Sequence, residues 1–179
     1  DTSEKPPNSW PQRRPVVTLE EVMRIEDTGK DFYIKAVYGL QVAGDGSVFV
    51  QDEQKQLLRF DASGRYMGSL LKKGEGPGEL VSLSGFLAAG DAVFLYGTPR
   101  KVITLDFAGG LRHELALPRT INGPVRLLTA TPSTLLFTRS GRPDPKAGVG
   151  WTGVPEELVA VSRADGTTET LANFPIPAY

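Results

Sequence analysis

An internal repeat is the feature of this chain that most restricts its fold. The stretch GSVFVQDEQKQLLRFDASGRYMGSL, which begins at Gly46, aligns with DAVFLYGTPRKVITLDFAGGLRHEL, which begins at Asp91. Five matched pairs are all offset by 45 positions: Val48 with Val93, Phe49 with Phe94, Leu58 with Ile103, Asp61 with Asp106, and Gly64 with Gly109. A looser third copy consists of STLLFTRS at 133–140 and LVAVSRADGTTETL at 158–171, separated by an insertion at about 141–156. One supersecondary unit is therefore repeated about three times.

Each copy is made of short apolar runs bounded by turn residues, a pattern typical of β-strands. The runs VFV at 48–50, VFLY at 93–96 and LLF at 135–137 are apolar at every position. A strand with one face in water would alternate instead, so both faces of these strands must be covered. A period near 45 residues, with three or four such strands per unit, indicates the blades of a β-propeller stacked face to face.

The sequence thus predicts an all-β fold of about three four-stranded antiparallel blades, which is a partial propeller. The blades are expected at about 36–80, 81–120 and 121–174, within a propeller region that covers 16–179. Residues 1–15 hold four prolines among polar residues and are predicted to form an extended arm.

Individual strands are expected at Gly46–Asp52, Gln56–Asp61 and Arg65–Leu71, and in ELVSLSG at 79–85. Between Val16 and Glu26 the apolar spacing fits either a helix or a strand. The β-branched pair at its start and the β-rich sequence that follows favour a strand there.

The stretch GEGPGEL at 74–80 has two interpretations, a phosphate-binding loop or a corner between blades. Its lysines precede the glycines, and Pro77 removes a backbone donor, so it matches no phosphate-binding spacing. Glu75 and Glu79 would also place negative charge beside an anion. A corner that reverses the chain between two blades fits better, and its structural motif comprises Gly74, Gly76, Pro77, Gly78 and Glu79.

The combination DGSVFVQD, LLRFDASGRYMGSL and GEGPGEL resembles the six-bladed propeller family of bacterial exported proteins, which is related to NHL-repeat propellers. In that family GxGPGE follows an FDxxG hairpin, as Gly74–Glu79 follows Phe60–Gly64 here. The resemblance covers about Met23 to Leu117. The second copy departs from it, because its exit ALPRTING lacks the Gly-Pro-Gly corner and Gly97-Thr98 replaces the usual Asp. The resemblance implies a fold and an exported location more than an activity.

Three blades do not close a ring, since about four is the smallest closed number and the resembling family uses six. The two terminal blades should each leave an apolar face uncovered. We therefore expect the chain not to be a free monomer. It should be an extrinsic subunit bound to protein partners in a larger assembly, for which a membrane-embedded complex is one candidate, or one half of a self-associating pair.

The composition excludes several classes of function. A net charge of −1 without a basic patch argues against nucleic-acid binding. No apolar run of transmembrane length occurs, and the absence of cysteine excludes disulfides and thiolate chemistry. The sequence starts without Met, as after removal of a secretion signal or after trimming. With the resemblance, this predicts an exported protein that is periplasmic or at the cell surface.

No catalytic residue and no cofactor are predicted. His113 is the single histidine, it falls on an outer strand of the repeat, and no GxSxG elbow accompanies it. The aspartates that recur at hairpins are expected to bind turn backbone: Asp45, Asp52, Asp61, Asp91 and Asp106. The alternative is a Ca²⁺ site of carboxylates at the propeller hub, which would suit a metal-dependent hydrolase or lyase. No DxDxDG loop supports it.

The insertion GRPDPKAGVGWTGVPEE is the best candidate for a partner-binding loop, because long irregular segments within compact repeats are often functional. Trp and Arg are enriched at binding hot spots. The predicted partner-binding residues are Arg139, Arg142, Lys146 and Trp151, together with Trp10 in the arm. In the alternative interpretation, Trp151 and Trp10 lie on the surface of the chain itself.

Overall fold

The computed structural model describes residues 18–26, 29, 31–54, 56–121, 125–140 and 156–174. These residues form twelve β-strands and no helix. The first sheet contains β1 (Val37–Val42), β2 (Val48–Asp52), β3 (Leu57–Phe60) and β4 (Tyr66–Ser69). The second contains β5 (Ser82–Ala89), β6 (Ala92–Thr98), β7 (Lys101–Asp106) and β8 (Leu111–Ala116). The third contains β9 (Val125–Ala130), β10 (Thr134–Ser140), β11 (Glu156–Ser162) and β12 (Thr168–Phe174).

Every sheet is a simple antiparallel meander in which strands that are consecutive in sequence pair with each other. The first strands of neighbouring sheets lie side by side, β1 next to β5 and β5 next to β9. The first strands therefore line a common axis, and the fourth strands are outermost. The described residues form three blades of an open propeller, as the repeat predicts.

The apolar runs lie on the second strand of each sheet, and those of the first two sheets are covered on both faces. In β2, Phe49 packs toward the second sheet with Leu57, Val93 and Leu95, and all four are essentially buried. In β6, the side chains of Val93 and Leu95 face the first sheet, whereas Phe94 and Tyr96 face the third. This strand contributes side chains to two hydrophobic cores, which explains why the run VFLY is apolar at every position.

The prediction that both faces are covered is wrong for the third run, LLF of β10, which is covered on one face only. Leu135 and Phe137 are 1% and 0% exposed in the core between the second and third sheets. Leu136, between them, points to the opposite face and is only half-buried. The third sheet therefore has an outer face that no described residue covers fully.

The first sheet differs, because the chain that precedes it covers part of its outer face. Met23, Ile25, Phe32 and Ile34 pack on the core of Val48, Val50, Leu58 and Phe60. The ring of Phe32 lies with its centroid 5.0 Å from that of Phe60 and 4.9 Å from that of Tyr66. The expectation of a wholly uncovered face is therefore corrected here.

The strand predicted between Val16 and Glu26 is wrong for the residues described, since 18–26 form no strand. The burial of 22–26 nevertheless alternates, with Met23 and Ile25 half-buried and Val22 exposed. The apolar alternation indicates correctly which side chains are turned inward. A strand also needs a hydrogen-bonded neighbour, and residues 18–26 have none among the described residues.

The β3–β4 and β7–β8 hairpins show the repeat at atomic level. Gly64 N donates to Asp61 O at 2.9 Å, and Gly109 N donates to Asp106 O at 3.0 Å. Both glycines have positive φ, 83° and 91°, a conformation that side-chain-bearing residues rarely adopt. The 45-residue offset therefore superposes equivalent turns.

Because burial decides the cost of a truncation, two phenylalanines of the third sheet should respond very differently. Phe137→Ala should lower the free energy of unfolding by about 3–5 kcal/mol, since it empties a fully buried site. Phe174→Ala, at a side chain 52% exposed, should change it by less than about 0.5 kcal/mol. Urea unfolding followed by circular dichroism measures both, and equal losses would contradict the packing described.

Candidate functional site

The stretch Gly74–Leu80 connects β4 with β5 and is closed by its own glutamate. Gly76 N donates to Glu79 Oε2 at 3.1 Å, and Gly74 N donates to Leu80 O at 3.3 Å. A Cβ at Gly74 would lie 1.9 Å from Glu79 Oε2, so a side chain there would displace the carboxylate. Gly78 has φ of 72°. The loop is thus filled by Glu79, which leaves its amides no inward-facing space for a phosphate.

A buried lysine fixes this corner to the second sheet. Lys101, at the start of β7, donates from Nζ to Gly76 O at 2.7 Å and to Glu114 Oε1 at 3.0 Å. The other oxygen of Glu114 accepts from Gly78 N at 2.7 Å. The side chain of Lys101 is only 7% exposed and that of Glu114 is 32% exposed, so the lysine end of the contact is shielded from water. Lys101 and Glu114 together bind two backbone groups of the corner.

The local environment of Glu114 shifts its acidity. Partial burial raises the pKa of the carboxyl, but the hydrogen bond from Gly78 N–H and the Lys101 ammonium outweigh it, so the pKa is lowered. The stabilising contribution of the group is thus present above the ordinary glutamate pKa and is lost as the pH falls through the lowered value.

Arg139 makes an equivalent set of contacts at the next interblade connection. Its Nε donates to Glu157 Oε2 at 2.5 Å, and its Nη1 donates to the carbonyl of Thr120, which lies between β8 and β9. The arginine side chain is 20% exposed. A cation with a carboxylate on the paired strand therefore holds the incoming connection, as Lys101 does.

These contacts bear on the predicted partner-binding set. Arg139 already has two partners within the chain, and its role toward another protein stays a prediction. Trp10, Arg142, Lys146 and Trp151 lie outside the described residues.

Sequence reasoning missed Lys101, Glu114 and Glu157. The available signal was Lys101 itself, a charged residue at the head of the apolar run VITL. A buried cation requires a carboxylate nearby, but the sequence does not show which strand supplies it.

An amide side chain links the first strands of two blades. Gln41 of β1 donates from Nε2 to Phe86 O at 3.2 Å, and its Oε1 accepts from Ala88 N at 2.6 Å. The open edge of β5 thus receives a side-chain substitute for a strand partner. Gly39 lies on the same face of β1, 3.2 Å from Phe86 when a Cβ is added.

The opposite face of β1 carries an exposed apolar row of Tyr38, Leu40 and Val42, named the β1 row here. These side chains are 67%, 57% and 63% exposed. The segment around Met23 and Phe32 covers the outer strands of the same sheet but leaves this row in solvent. The third sheet, at the other end of the stack, exposes Leu128, Leu171 and Phe174.

Asp45, Asp61 and Asp106 bind their own turns as predicted, whereas Asp91 pairs with an arginine of β8. Asp61 accepts from the Ser63 hydroxyl at 2.6 Å, and this hydrogen bond is the main reason its pKa falls to about 2. Asp45 and Asp106 accept backbone N–H groups at 2.9 and 2.7 Å, and Asp91 pairs with Arg112 at 2.7 Å. Within the part of the chain that is described, no group of three potential ligands is arranged for a metal.

His113 lies on β8, the outermost strand of the second sheet, and is exposed. Its strand and exposure agree with its position in the repeat. It lines a cleft between the second and third sheets with Arg112 and Arg163.

The blade geometry agrees with a comparison of family sequences. The profile of the DUF5128 family, 6-bladed beta-propeller, matches residues 18–140, more than half of the chain. The chain belongs to this family. No curated relative matches the sequence.

Solved structures are similar to this chain at low sequence identity, and the first of them shares its fold. A presumed exported protein of Bacteroides fragilis has a TM-score of 0.58 and 17% identity, over 88% of this chain and 42% of that one. BamB from Moraxella catarrhalis has a TM-score of 0.40 and 13% identity, over 77% and 36%. The WD40 domain of SCAP from fission yeast has 0.40 and 9%, over 78% and 34%. The chain spans less than half the length of each.

With respect to membranes, the described residues include no helix long and apolar enough to cross a bilayer.

The corner contact can be tested by removing the buried ammonium. Lys101→Met should lower the free energy of unfolding by about 1–3 kcal/mol, because Gly76 O and Glu114 lose their shared donor. Adding Glu114→Gln should recover part of this loss, since no carboxylate is then left without its cation. The matched control is Arg65→Met in the exposed Arg65–Asp61 pair, for which a change within about 0.5 kcal/mol is expected. Denaturant titrations compare them, and a loss at Arg65 as large as at Lys101 would refute the anchoring role.

Proposed function

We propose that this protein is a non-enzymatic binding or scaffolding module that acts through protein–protein contacts at the open ends of its blade stack. The observation that carries the proposal is the β1 row, Tyr38, Leu40 and Val42, which is more than half exposed at every position. Contiguous apolar surface of this kind on a soluble chain marks a site of association.

The β1 row leaves apolar surface in water whose burial would contribute free energy to association. Inside the stack, each apolar sheet face is covered by the next blade, whereas the β1 row has no such cover. Covering a few hundred Å² of apolar surface contributes several kcal/mol at about 25 cal/mol per Å², comparable with the whole stability of a domain. A partner that presents an apolar sheet face would supply this cover.

The setting we propose is extracytoplasmic. The resemblance to exported propellers and the shared fold with a presumed exported protein support this location. The chain would act there as an extrinsic subunit of a larger assembly, with a membrane-embedded complex among the candidate partners, or as one half of a self-associating pair. A hub metal enzyme is the alternative, but the hairpin aspartates are already bound to turn groups or to arginine.

Charge in the β1 row should weaken association at this end. Leu40→Asp should weaken self-association or partner binding at least tenfold without altering unfolding, because the side chain is already 57% exposed. Val81→Asp, at a 50% exposed valine between β4 and β5, provides the same charge outside the row and should leave association unchanged. Size-exclusion chromatography with light scattering measures the oligomer. A soluble wild-type monomer with cooperative unfolding at all concentrations would contradict the proposal.

The insertion is a second predicted contact. Trp151→Ala and Arg142→Ala should each reduce capture of a protein partner in a pull-down, since Trp and Arg truncations at hot spots cost about 2 kcal/mol or more. Arg119→Ala, at an exposed arginine before β9, controls for the loss of a positive charge. Unchanged capture would remove the insertion from the interface.

A further inference from the structure

A cleft of about 800 Å³ lies between the second and third sheets, within the size range of small-ligand sites. This space is called the interblade cleft. Its lining includes Phe94, Thr104, Arg112, His113, Ser133 and Arg163. Both walls are built from the middle and third blades of this chain. The cleft is thus formed without any contribution from the open end with the β1 row.

One wall is a row across three paired strands of the second sheet. Phe94 of β6 pairs with Thr104 of β7, and Thr104 pairs with His113 of β8. Paired residues point to the same face, so a ring, a hydroxyl and an imidazole stand side by side. This face is the one turned toward the third sheet, because Phe94 belongs to the core shared with it.

Thr104 contributes a hydroxyl group to this row. Thr104 is 4% exposed, yet its side chain makes no hydrogen bond to any described residue. Its oxygen is not one of the fully buried unpaired side-chain atoms of the described residues, so the unused hydrogen-bonding positions of the hydroxyl open into the cleft. Since Thr104 lines the cleft, a group bound there would complete it. The imidazole of His113 likewise has no protein partner among the residues described.

The other wall supplies a positive charge. Arg163 lies with its guanidinium carbon 5.2 Å from the ring centroid of Phe94 and donates from Nη1 to Thr131 O at 2.9 Å. It forms no ion pair with a described carboxylate. Arg112, by contrast, is compensated by Asp91 at 2.7 Å. The cleft therefore keeps an uncompensated guanidinium, held in place by stacking and by one carbonyl.

We propose that the interblade cleft binds a carboxylate joined to an apolar group, with Arg163 contacting the carboxylate, Thr104 and His113 completing its hydrogen bonds, and Phe94 packing on the apolar part. Guanidinium groups bind carboxylates through paired N–H donors, and the remaining lining includes Ala89, Ala92, Ala130 and Pro132. An acidic peptide side chain and a small apolar carboxylic acid both carry this chemistry.

Two probes distinguish these sources. The first is an acetylated hexapeptide of alternating Ala and Glu, with the Gln peptide as its neutral control. The second is 4-phenylbutyrate, with 4-phenylbutyramide as its control. Isothermal titration calorimetry on the full chain should show saturable binding of at least one acidic probe and at least tenfold weaker binding of its neutral control. The probe that binds identifies the source.

Three variants locate the site. Arg163→Gln should weaken binding at least tenfold. Thr104→Val keeps the shape and should weaken binding about threefold or more while leaving stability equal or higher, because it removes a hydroxyl that has no protein partner. Arg119→Gln removes the same charge outside the cleft and should have no effect.

The proposal is overturned if neither acidic probe binds with a Kd below 1 mM in the wild type. It is also overturned if Arg119→Gln weakens binding as much as Arg163→Gln, which would indicate attraction to overall charge. Unchanged binding in Thr104→Val, a variant expected to fold, would equally exclude the site.

Discussion

The structure depends on burying both faces of the second strand in the first and second blades. In β6, Val93 and Leu95 belong to one core while Phe94 and Tyr96 belong to the next. The middle blade therefore needs two neighbours, because its second strand is apolar on both faces. The same constraint makes the terminal faces the places where further contacts are expected, and it explains why a preceding segment around Phe32 is packed on the first sheet.

Stacking by itself does not determine how the chain crosses from one blade to the next. Two cations do so here, Lys101 for the first connection and Arg139 for the second, each shared between a carboxylate and a backbone carbonyl. The two connections have unrelated sequences, one with Gly-Pro-Gly and one without. The common element is therefore the acceptor carbonyl and the cation that reaches it, and the glycines serve the local shape of the first corner alone.

The fold could be predicted because the repeat period and the burial of strand residues both produce a clear pattern along the sequence. The offset of 45 between Asp61 and Asp106 predicted equivalent hairpins. Uninterrupted apolar runs predicted strands covered on both faces, which is confirmed for β2 and β6 and wrong for β10. Contacts between residues that are distant in sequence produce no such pattern. Glu114 binds the connection that precedes its sheet, Gln41 binds the edge of the next sheet, and the role of Thr104 depends on the residues of the facing blade. The segment 18–26 was misassigned because alternation records burial and does not record hydrogen-bond partners.

The three meanders have a further consequence for how the molecule opens. Because strands pair only within a sheet and sheets touch only their sequence neighbours, the described residues form a short linear array, in which each unit is stabilised by the units beside it. The middle sheet has two such neighbours, the first has one sheet and the segment around Phe32, and the third has one. Amide hydrogen exchange should therefore be graded along the chain, slowest in β6 and β7 and fastest in β11 and β12, with unfolding that begins at the carboxyl-terminal blade.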